Sequence, residues 1–291
     1  MQLTARTLAF CLTSGALLFA ADYRYAKIDV PNSTLTIVNG VNARGDLVGR
    51  YDNAKGGTHG FLRRNGVFTT IGVPQATFTA ARGINARGDI VGRADDAAGH
   101  QHGFLLRDGQ FTLVDFPGAS ATVALGVNNA GDVTGQYVNP SGAESGFLLR
   151  DGAFHKVRVI DSCGTEVWMA QDDGKVSVGD FCSPTDHKIH GYLRPRPDNF
   201  QNIDFAGADC TSARWINEKD DIVGAYGNTL DECSASQFHG FVLRQGLYAA
   251  IDFPGSMFTD AQAINDYGVI VGDFTDTNGV VHGFQAVPLA K

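Results

Sequence analysis

Apolar and polar residues alternate in short runs along most of this chain, and the runs repeat. From Thr79 the order TAARGINARGDIVGRADDAAGHQHGFLLRDGQFTLVDFPGA divides into four stretches of β character parted by turn residues. Strand A covers the Thr-to-Asn segment, and Asn-Ala-Arg-Gly-Asp turns into strand B, Asp89 to Ala94. A polar loop leads to strand C, Gly103 to Arg107. Asp108-Gly109 is a tight hairpin turn into strand D, Gln110 to Phe116.

Three landmarks carry this pattern through the chain. An apolar residue followed by Asn and a turn recurs at Asn42, Asn85, Asn128, Asn217 and Asn265, with Gln171 in the fourth unit. Gly-Phe or Gly-Tyr recurs from Gly60 to Gly283 at spacings of 43, 43, 45, 49 and 43 residues. A short strand ending in a turn recurs as at Ile203 to Gly207 and Ile251 to Gly255, and a Thr stands six residues before every Asn or Gln landmark. Four antiparallel strands per unit of about 45 residues predict a six-bladed β-propeller. The chain opens on a strand D, Tyr25 to Val30, and closes on A, B and C from Thr259 to Val287. Six complete blades therefore require the N-terminal strand to join the C-terminal sheet, which removes both exposed edges.

The first residues stand apart from the repeat. Arg6 precedes an apolar run from Leu8 to Phe19, followed by Ala20 and Ala21, the layout of a secretory signal over 1–21. The run is too short and too interrupted, at Thr13, Ser14 and Gly15, for a transmembrane anchor. Cys11 lies mid-run after the bulky Phe10, which argues against lipidation. The expectation is a secreted or periplasmic protein with one propeller domain over 22–291, monomeric by default. The whole chain has 23 Lys+Arg against 31 Asp+Glu, a net charge of −8. With no basic run, neither nucleic acid nor an anionic membrane is an expected partner.

The repeat G-[IV]-N-x-x-G-[DV]-[IL]-V-G, then H-G-F-L-x-R-[DN]-G, then I-D-F-P-G resembles the bacterial extracellular repeat proteins named for a His-Ala-Phe motif, the HAF family. The resemblance covers everything after the leader, with Gly at the middle position, as in His59-Gly60-Phe61 and His282-Gly283-Phe284. It implies a secreted propeller and no catalytic residues.

Candidate chemistry is sparse. His59, His102, His190, His239 and His282 precede the Gly-aromatic pair, one per blade, too far apart around a ring to share a metal ion. They are read as structural, each bonding a polar partner within its blade, and the repeated Asn and Thr as serving turns. Arg44-Gly45-Asp46 and Arg87-Gly88-Asp89 are turn chemistry rather than integrin motifs. Asp276-Thr277-Asn278-Gly279 and Asp95-Asp96 lack the distal Glu of a calcium loop. Motifs for a hydrolase elbow, a zinc protease, a nucleotide loop and a Cys-x-x-Cys redox site are missing, so no metal or cofactor is expected.

Function is therefore sought where the repeat varies. Three residues before the Asn landmark stand Asn39, Arg82, Leu125, Trp168, Arg214 and Gln262; five before it stand Ile37, Ala80, Val123, Glu166, Ser212 and Asp260. Strand A is innermost in a blade, so Arg82, Glu166, Trp168, Arg214, Asp260 and Gln262 are the candidate ligand-binding residues near the central channel. Trp168 and Trp215 also suit packing between blades. Two functions follow: a non-catalytic module binding a polar extracellular ligand such as a glycan or cell-surface polymer, or a secreted hydrolase or lyase using channel carboxylates. In the first, Arg214 bonds ligand oxygens and Trp168 offers a stacking face, on the B-to-C loop side of blades four to six. The four Cys after the leader allow three pairings; hairpin register selects Cys163 with Cys182 and Cys210 with Cys233.

Overall fold

The computed structural model describes residues 23–197 and 199–289, so the expected leader at 1–21 lies outside the described residues. Apart from one six-residue helix, the regular structure is all β. After β1 (Tyr23–Ile28), the first unit is β2 (Ser33–Val41), β3 (Leu47–Asn53), β4 (Thr58–Arg64) and β5 (Val67–Ile71). The second is β6 (Phe78–Ile84), β7 (Ile90–Asp95), β8 (Gln101–Arg107) and β9 (Gln110–Val114). The third is β10 (Ala121–Val127), β11 (Val133–Val138), β12 (Glu144–Arg150) and β13 (Ala153–Val157). The fourth is β14 (Gly164–Ala170), β15 (Ser177–Cys182), β16 (Ile189–Arg196) and β17 (Asn199–Asn202). The fifth is β18 (Cys210–Ile216), β19 (Ile222–Gly227), α1 (Leu230–Ala235), β20 (His239–Arg244) and β21 (Leu247–Ala250). The last comprises β22 (Phe258–Ile264), β23 (Ile270–Thr275) and β24 (Val281–Pro288).

Within each unit neighbouring strands pair antiparallel, and a single parallel bridge, Thr58 to Phe78, joins the first two units into an eight-stranded sheet. The last unit takes its fourth strand from the start of the chain: β1 pairs with β24, Tyr23 opposite Pro288 and Ile28 opposite Gly283. The opening strand ends two residues earlier than expected. Val30 is drawn into the turn, its N–H donating to Thr36 Oγ1 and its carbonyl accepting from the Ser33 N–H. The first strands of successive units touch in order, and β22 touches β2.

The repeated residues build this arrangement. Each landmark Thr accepts a hydrogen bond from the backbone N–H six residues before it, at 2.9–3.2 Å, closing the turn into its first strand. Each Gly-aromatic pair supplies a fully buried ring: Phe61, Phe104, Phe147, Tyr192, Phe241 and Phe284. The ring lies where the facing strand has Gly; a Cβ on Gly49 would stand 2.8 Å from the Phe61 ring and 1.9 Å from the Ile37 carbonyl oxygen. Asp108 and Gly109 both have positive φ, as the tight hairpin requires.

The repeated His find partners in their own sheets. His102 Nδ1 meets Asp115 at 2.9 Å, His190 meets Asp204 at 2.9 Å, and His239 meets Asp252 at 3.3 Å. His282 pairs with Asp29 at 3.0 Å, tying the two ends of the chain together. His59, which has no Asp there, bonds Asn53 instead. These rings are half-buried rather than fully enclosed.

The long connection between β19 and β20, read as a loop, contains α1. Thr229 caps it, its hydroxyl accepting from the Glu232 N–H at 3.1 Å, while the Glu232 carboxylate accepts from the Asn228 N–H at 2.6 Å. The Thr-x-x-Glu spacing is that of a capping box, except that Glu232 reaches the N–H of the residue before the cap rather than that of Thr229 itself. Both expected disulfides are present, with Cα atoms 5.2 Å apart for Cys163–Cys182 and 6.1 Å for Cys210–Cys233. The second anchors α1 to the start of β18.

Two outcomes are expected. A chain beginning at Ser33 leaves the outer edge of β24 exposed and His282 without Asp29, lowering the melting temperature by about 10 °C, as expected for losing several kcal/mol. An unchanged melting curve would refute a stabilising role for β1. Replacing Cys210 and Cys233 together by Ser is expected to cost about 3 kcal/mol, the loop-closure entropy of a cross-link of this span, read by denaturant unfolding.

Candidate functional site

Every first strand carries a register shift against the second three residues before the landmark, and β2 has a further one at Thr34. The residue without a partner is Asn39, Arg82, Leu125, Trp168, Arg214 or Gln262, the variable position three before the landmark. A bulge leaves its extra residue outside the ladder and re-aims that side chain. The ladder therefore places no pairing demand on these six side chains, and the repeat carries amide, cationic, aliphatic and aromatic residues there.

The position two residues earlier is paired, and its cross-strand neighbour is a site residue that the sequence reading passed over. Ile37 faces Arg50, Ala80 faces Arg93, Val123 faces Gln136, Glu166 faces Asp180, Ser212 faces Ala225, and Asp260 faces Asp273. The available signal was the residue after the repeated Val-Gly or Thr-Gly, which runs Arg, Arg, Gln, Asp, Ala, Asp through the six units. The variable positions of strand B thus join those of strand A.

Two carboxyl pairs, Glu166 with Asp180 and Asp260 with Asp273, flank Arg214. Arg214 reaches Asp260 at 3.0 Å and the Gln262 Oε1 at 2.9 Å, and its guanidinium carbon lies 4.9 Å from the Trp168 ring centre. The Trp168 indole N–H donates to Asp180 at 3.1 Å, and the Ser212 hydroxyl donates to the same carboxylate. Gln262 in turn donates to Asp273 at 3.3 Å. Five of the six candidate residues, Glu166, Trp168, Arg214, Asp260 and Gln262, thus form a cluster with Asp180 and Asp273. Arg214 is spent on the protein's own groups and covers a face of Trp168, so the free stacking platform foreseen for that indole is already partly occupied. In the fourth unit Tyr replaces Phe in the Gly-aromatic pair, and the Tyr192 hydroxyl donates to the Glu166 carbonyl at 2.8 Å.

Burial sets the charge states. It raises the Asp273 carboxyl from 3.8 to about 7, with the Asp260 carboxylate adding to the effect. Burial, then Asp180 and Glu144, push Glu166 well up. Arg82, the sixth candidate, is different: it makes no hydrogen bond or ion pair among the described residues, and its Nε is shut off from solvent. Asn39 Oδ1, Gln136 Oε1, Arg214 Nε and Asp260 Oδ1 are likewise buried without partners. Donors and acceptors are both left open.

A solvent-open pocket of about 430 Å³ lies at the opposite end of the first strands. Its floor is apolar, including Val41, Ile84, Val127 and Ile264, and its rim carries the landmark Asn side chains. The rim acids hold backbone: Asp172 accepts from the Asn129 N–H, Glu218 from the Asp172 N–H and Asp266 from the Glu218 N–H, at 2.7–2.9 Å. Their turns are fastened by the protein itself, which separates them from the unpaired groups of the inner-strand cluster. The Arg-Gly-Asp turns are fastened too, since Asp46 and Asp89 are buried against Arg64 and Arg107 at 3.0 Å. Asp276 likewise spends an oxygen on the N–H groups of Asn278 and Val280.

No protein-family model and no curated protein sequence matches the chain. Solved structures resemble it in fold. A fungal lectin from Aleuria aurantia, described as a six-bladed β-propeller with a novel fucose recognition mode, is 13% identical over 90% of this chain and 98% of that one, TM-score 0.51. A triple arginine-to-alanine mutant of AofleA from Arthrobotrys oligospora is 11% identical over 93% and 91%, TM-score 0.53. The β-propeller domain of the trilobed protease from Pyrococcus furiosus, described as having an open velcro topology, is 10% identical over 88% and 98%, TM-score 0.50. At these identities the likeness shows the fold, a β-propeller, and nothing of the chemistry.

The acid pairs make stability fall with rising pH. A buried carboxyl with a raised folded value contributes fully below its unfolded value of 3.8 and loses that contribution as pH rises through about 7. Asp273→Asn is expected to flatten the melting-temperature profile between pH 4 and 7. A mutant profile parallel to the parent's would show that Asp273 does not titrate in this window.

Proposed function

We propose that the chain is an exported, six-bladed β-propeller of the HAF repeat type that binds an extracellular glycan without catalysing its breakdown. Six four-stranded units with a shared N- and C-terminal sheet support the blade count. Two disulfides support an oxidising compartment, secreted or periplasmic. Among the described residues no helix is long and apolar enough to cross a membrane. The carrying observation is the set of unpaired buried groups on the inner strands: donors at Arg82 and Arg214, acceptors at Asn39, Gln136 and Asp260. Hydroxyl groups both donate and accept, so a sugar satisfies both kinds in one ligand. The likeness to fucose-recognising lectins supports the same class.

A hydrolase or lyase would draw on the same carboxyl pairs, the observation that favours it. Against it, one oxygen of Asp260 is held by Arg214 and one of Asp180 by both Trp168 and Ser212, so these acids are tied into the protein's own contacts even though burial raises both carboxyls. The test is an oligosaccharide array probed with the leaderless chain, followed by calorimetry. Glu166→Ala is expected to weaken binding about threefold to tenfold, the effect of deleting one hydrogen bond, with melting unchanged or raised. An array with no bound sugar, or shortened products after incubation, would overturn the binding-module reading.

A further inference from the structure

Arg82 is half-buried with its Nε shut off from solvent, and among the described residues no acid pairs with it and no ring lies under it; Arg194, also without an acid, at least lies over the Phe200 ring at 5.9 Å. Arg93 has Asp95 at 2.7 Å, Arg214 has Asp260 at 3.0 Å, and Arg50 has Asp52 at 3.7 Å. Arg82 has no such partner among the described residues, and its Nε is buried and unbonded. It occupies the bulge of β6, where the ladder places no constraint on residue type. A small or apolar side chain would fit the fold there, as Leu125 does in the next unit.

The surroundings make the charge more costly still. Burial lowers the Arg82 guanidinium to about 10, and Arg50, Arg214 and Arg93 act in the same direction, opposed by Glu166. A half-buried, unpaired cation beside three others is an unfavourable arrangement that an anion would relieve. Glu166 does not supply that anion, since it makes no side-chain hydrogen bond or ion pair with Arg82. Beside Arg82, Asn39 holds the Ala81 carbonyl through Nδ2 at 2.8 Å and leaves Oδ1 open. An unpaired guanidinium on β6 and an unpartnered amide oxygen on the adjacent first strand β2 suit a group bearing both a carboxylate and a hydroxyl.

We infer that Arg82 is the anchor for a sugar carboxylate, so that the ligand is an acidic glycan containing uronate residues. The inference rests on the glycan-binding reading and narrows it. In the bound state the Arg82 guanidinium donates to the carboxylate oxygens, and a ring hydroxyl of the same residue donates to Asn39 Oδ1. A guanidinium-carboxylate contact of this kind is charge-assisted and discriminates acid from neutral sugars.

The experiment compares trigalacturonate with its carboxyl-reduced, neutral trisaccharide by calorimetry on the leaderless chain, alongside a panel of neutral oligosaccharides. The parent is expected to prefer the acid by about tenfold or more, a preference that shrinks as salt is added, as charge-assisted pairing requires. Arg82→Gln should abolish that preference, weakening the acid far more than the neutral trisaccharide, while Arg82→Lys restores part of it. Arg82→Met should raise the melting temperature, since it removes a half-buried charge that no acid of the protein pairs, and this readout shows that loss of binding is not loss of fold. Equal affinity of the parent for acid and neutral trisaccharides, or an undiminished preference in Arg82→Gln, overturns the inference while glycan binding stands. If neither acidic nor neutral sugars bind, the glycan-binding reading itself fails.

Discussion

Each landmark Asn does two things with one amide. In Asn42 the side-chain oxygen accepts the N–H groups of Arg44 and Asp46, folding its own turn, while the amide nitrogen donates to the Asn85 carbonyl of the next unit. The same donation runs from Asn85 to Asn128, Asn128 to Gln171, Gln171 to Asn217, Asn217 to Asn265 and Asn265 back to Asn42, at 2.8–3.1 Å. These six buried bonds form a closed circuit around the inner strands. Each of these carbonyls also accepts an N–H of its own turn, as Asn85 does from Gly88 at 3.1 Å, so one oxygen serves the turn and the neighbouring unit together and losing the circuit bond loosens two units at once. Gln171 shows the constraint from the other side: with a longer side chain it still reaches the next carbonyl, and it adds a contact to Asp220.

The rest of the architecture hangs on that circuit. Fixing the turn ends of the first strands fixes their spacing, and the landmark Thr fixes the opposite ends by closing the preceding turns. Between those two fastenings the strand has one residue too many for its partner, and the excess emerges as the bulge. The bulge lets the scaffold stay regular while the inner surface changes from unit to unit, from Leu125 to Arg214. Structural demand and chemical variety are thereby kept on different residues of the same strand.

That separation accounts for the charge distribution. The repeated ion pairs, such as Arg64 with Asp46 and Arg107 with Asp89, sit on the turns and stabilise them. Burial works against the Asp46 carboxylate, but hydrogen bonds from Arg64, Asn42 and Arg44 outweigh it and hold the group below its usual range. The inner cluster runs the other way, with Asp273 and Glu166 raised by burial and by neighbouring acids. A protein selected only for stability would have no reason to retain four acids and several arginines there, and the unpaired groups among them carry the functional reading.

The local chemistry of the chain was legible without a structure, because it depends on interactions a few residues long. Alternating apolar positions, Asp-Gly hairpins and a repeat of about 45 residues sufficed for the strands and their order, and hairpin register alone paired Cys163 with Cys182 and Cys210 with Cys233. Repeat variation also pointed to Glu166, Trp168, Arg214 and Asp260. What remained hidden was everything that depends on the next strand or the next unit. The amide of Asn42 reads as a turn former until Asn85 is seen beside it, 43 residues away. Asp180 and Asp273 belong to the cluster only through cross-strand register, and Trp168 proves to lie under Arg214 only when neighbouring units pack. The solitary state of Arg82 is likewise a fact of three dimensions, since whether a buried charge has a partner is settled by packing across the ring and not by its neighbours along the chain.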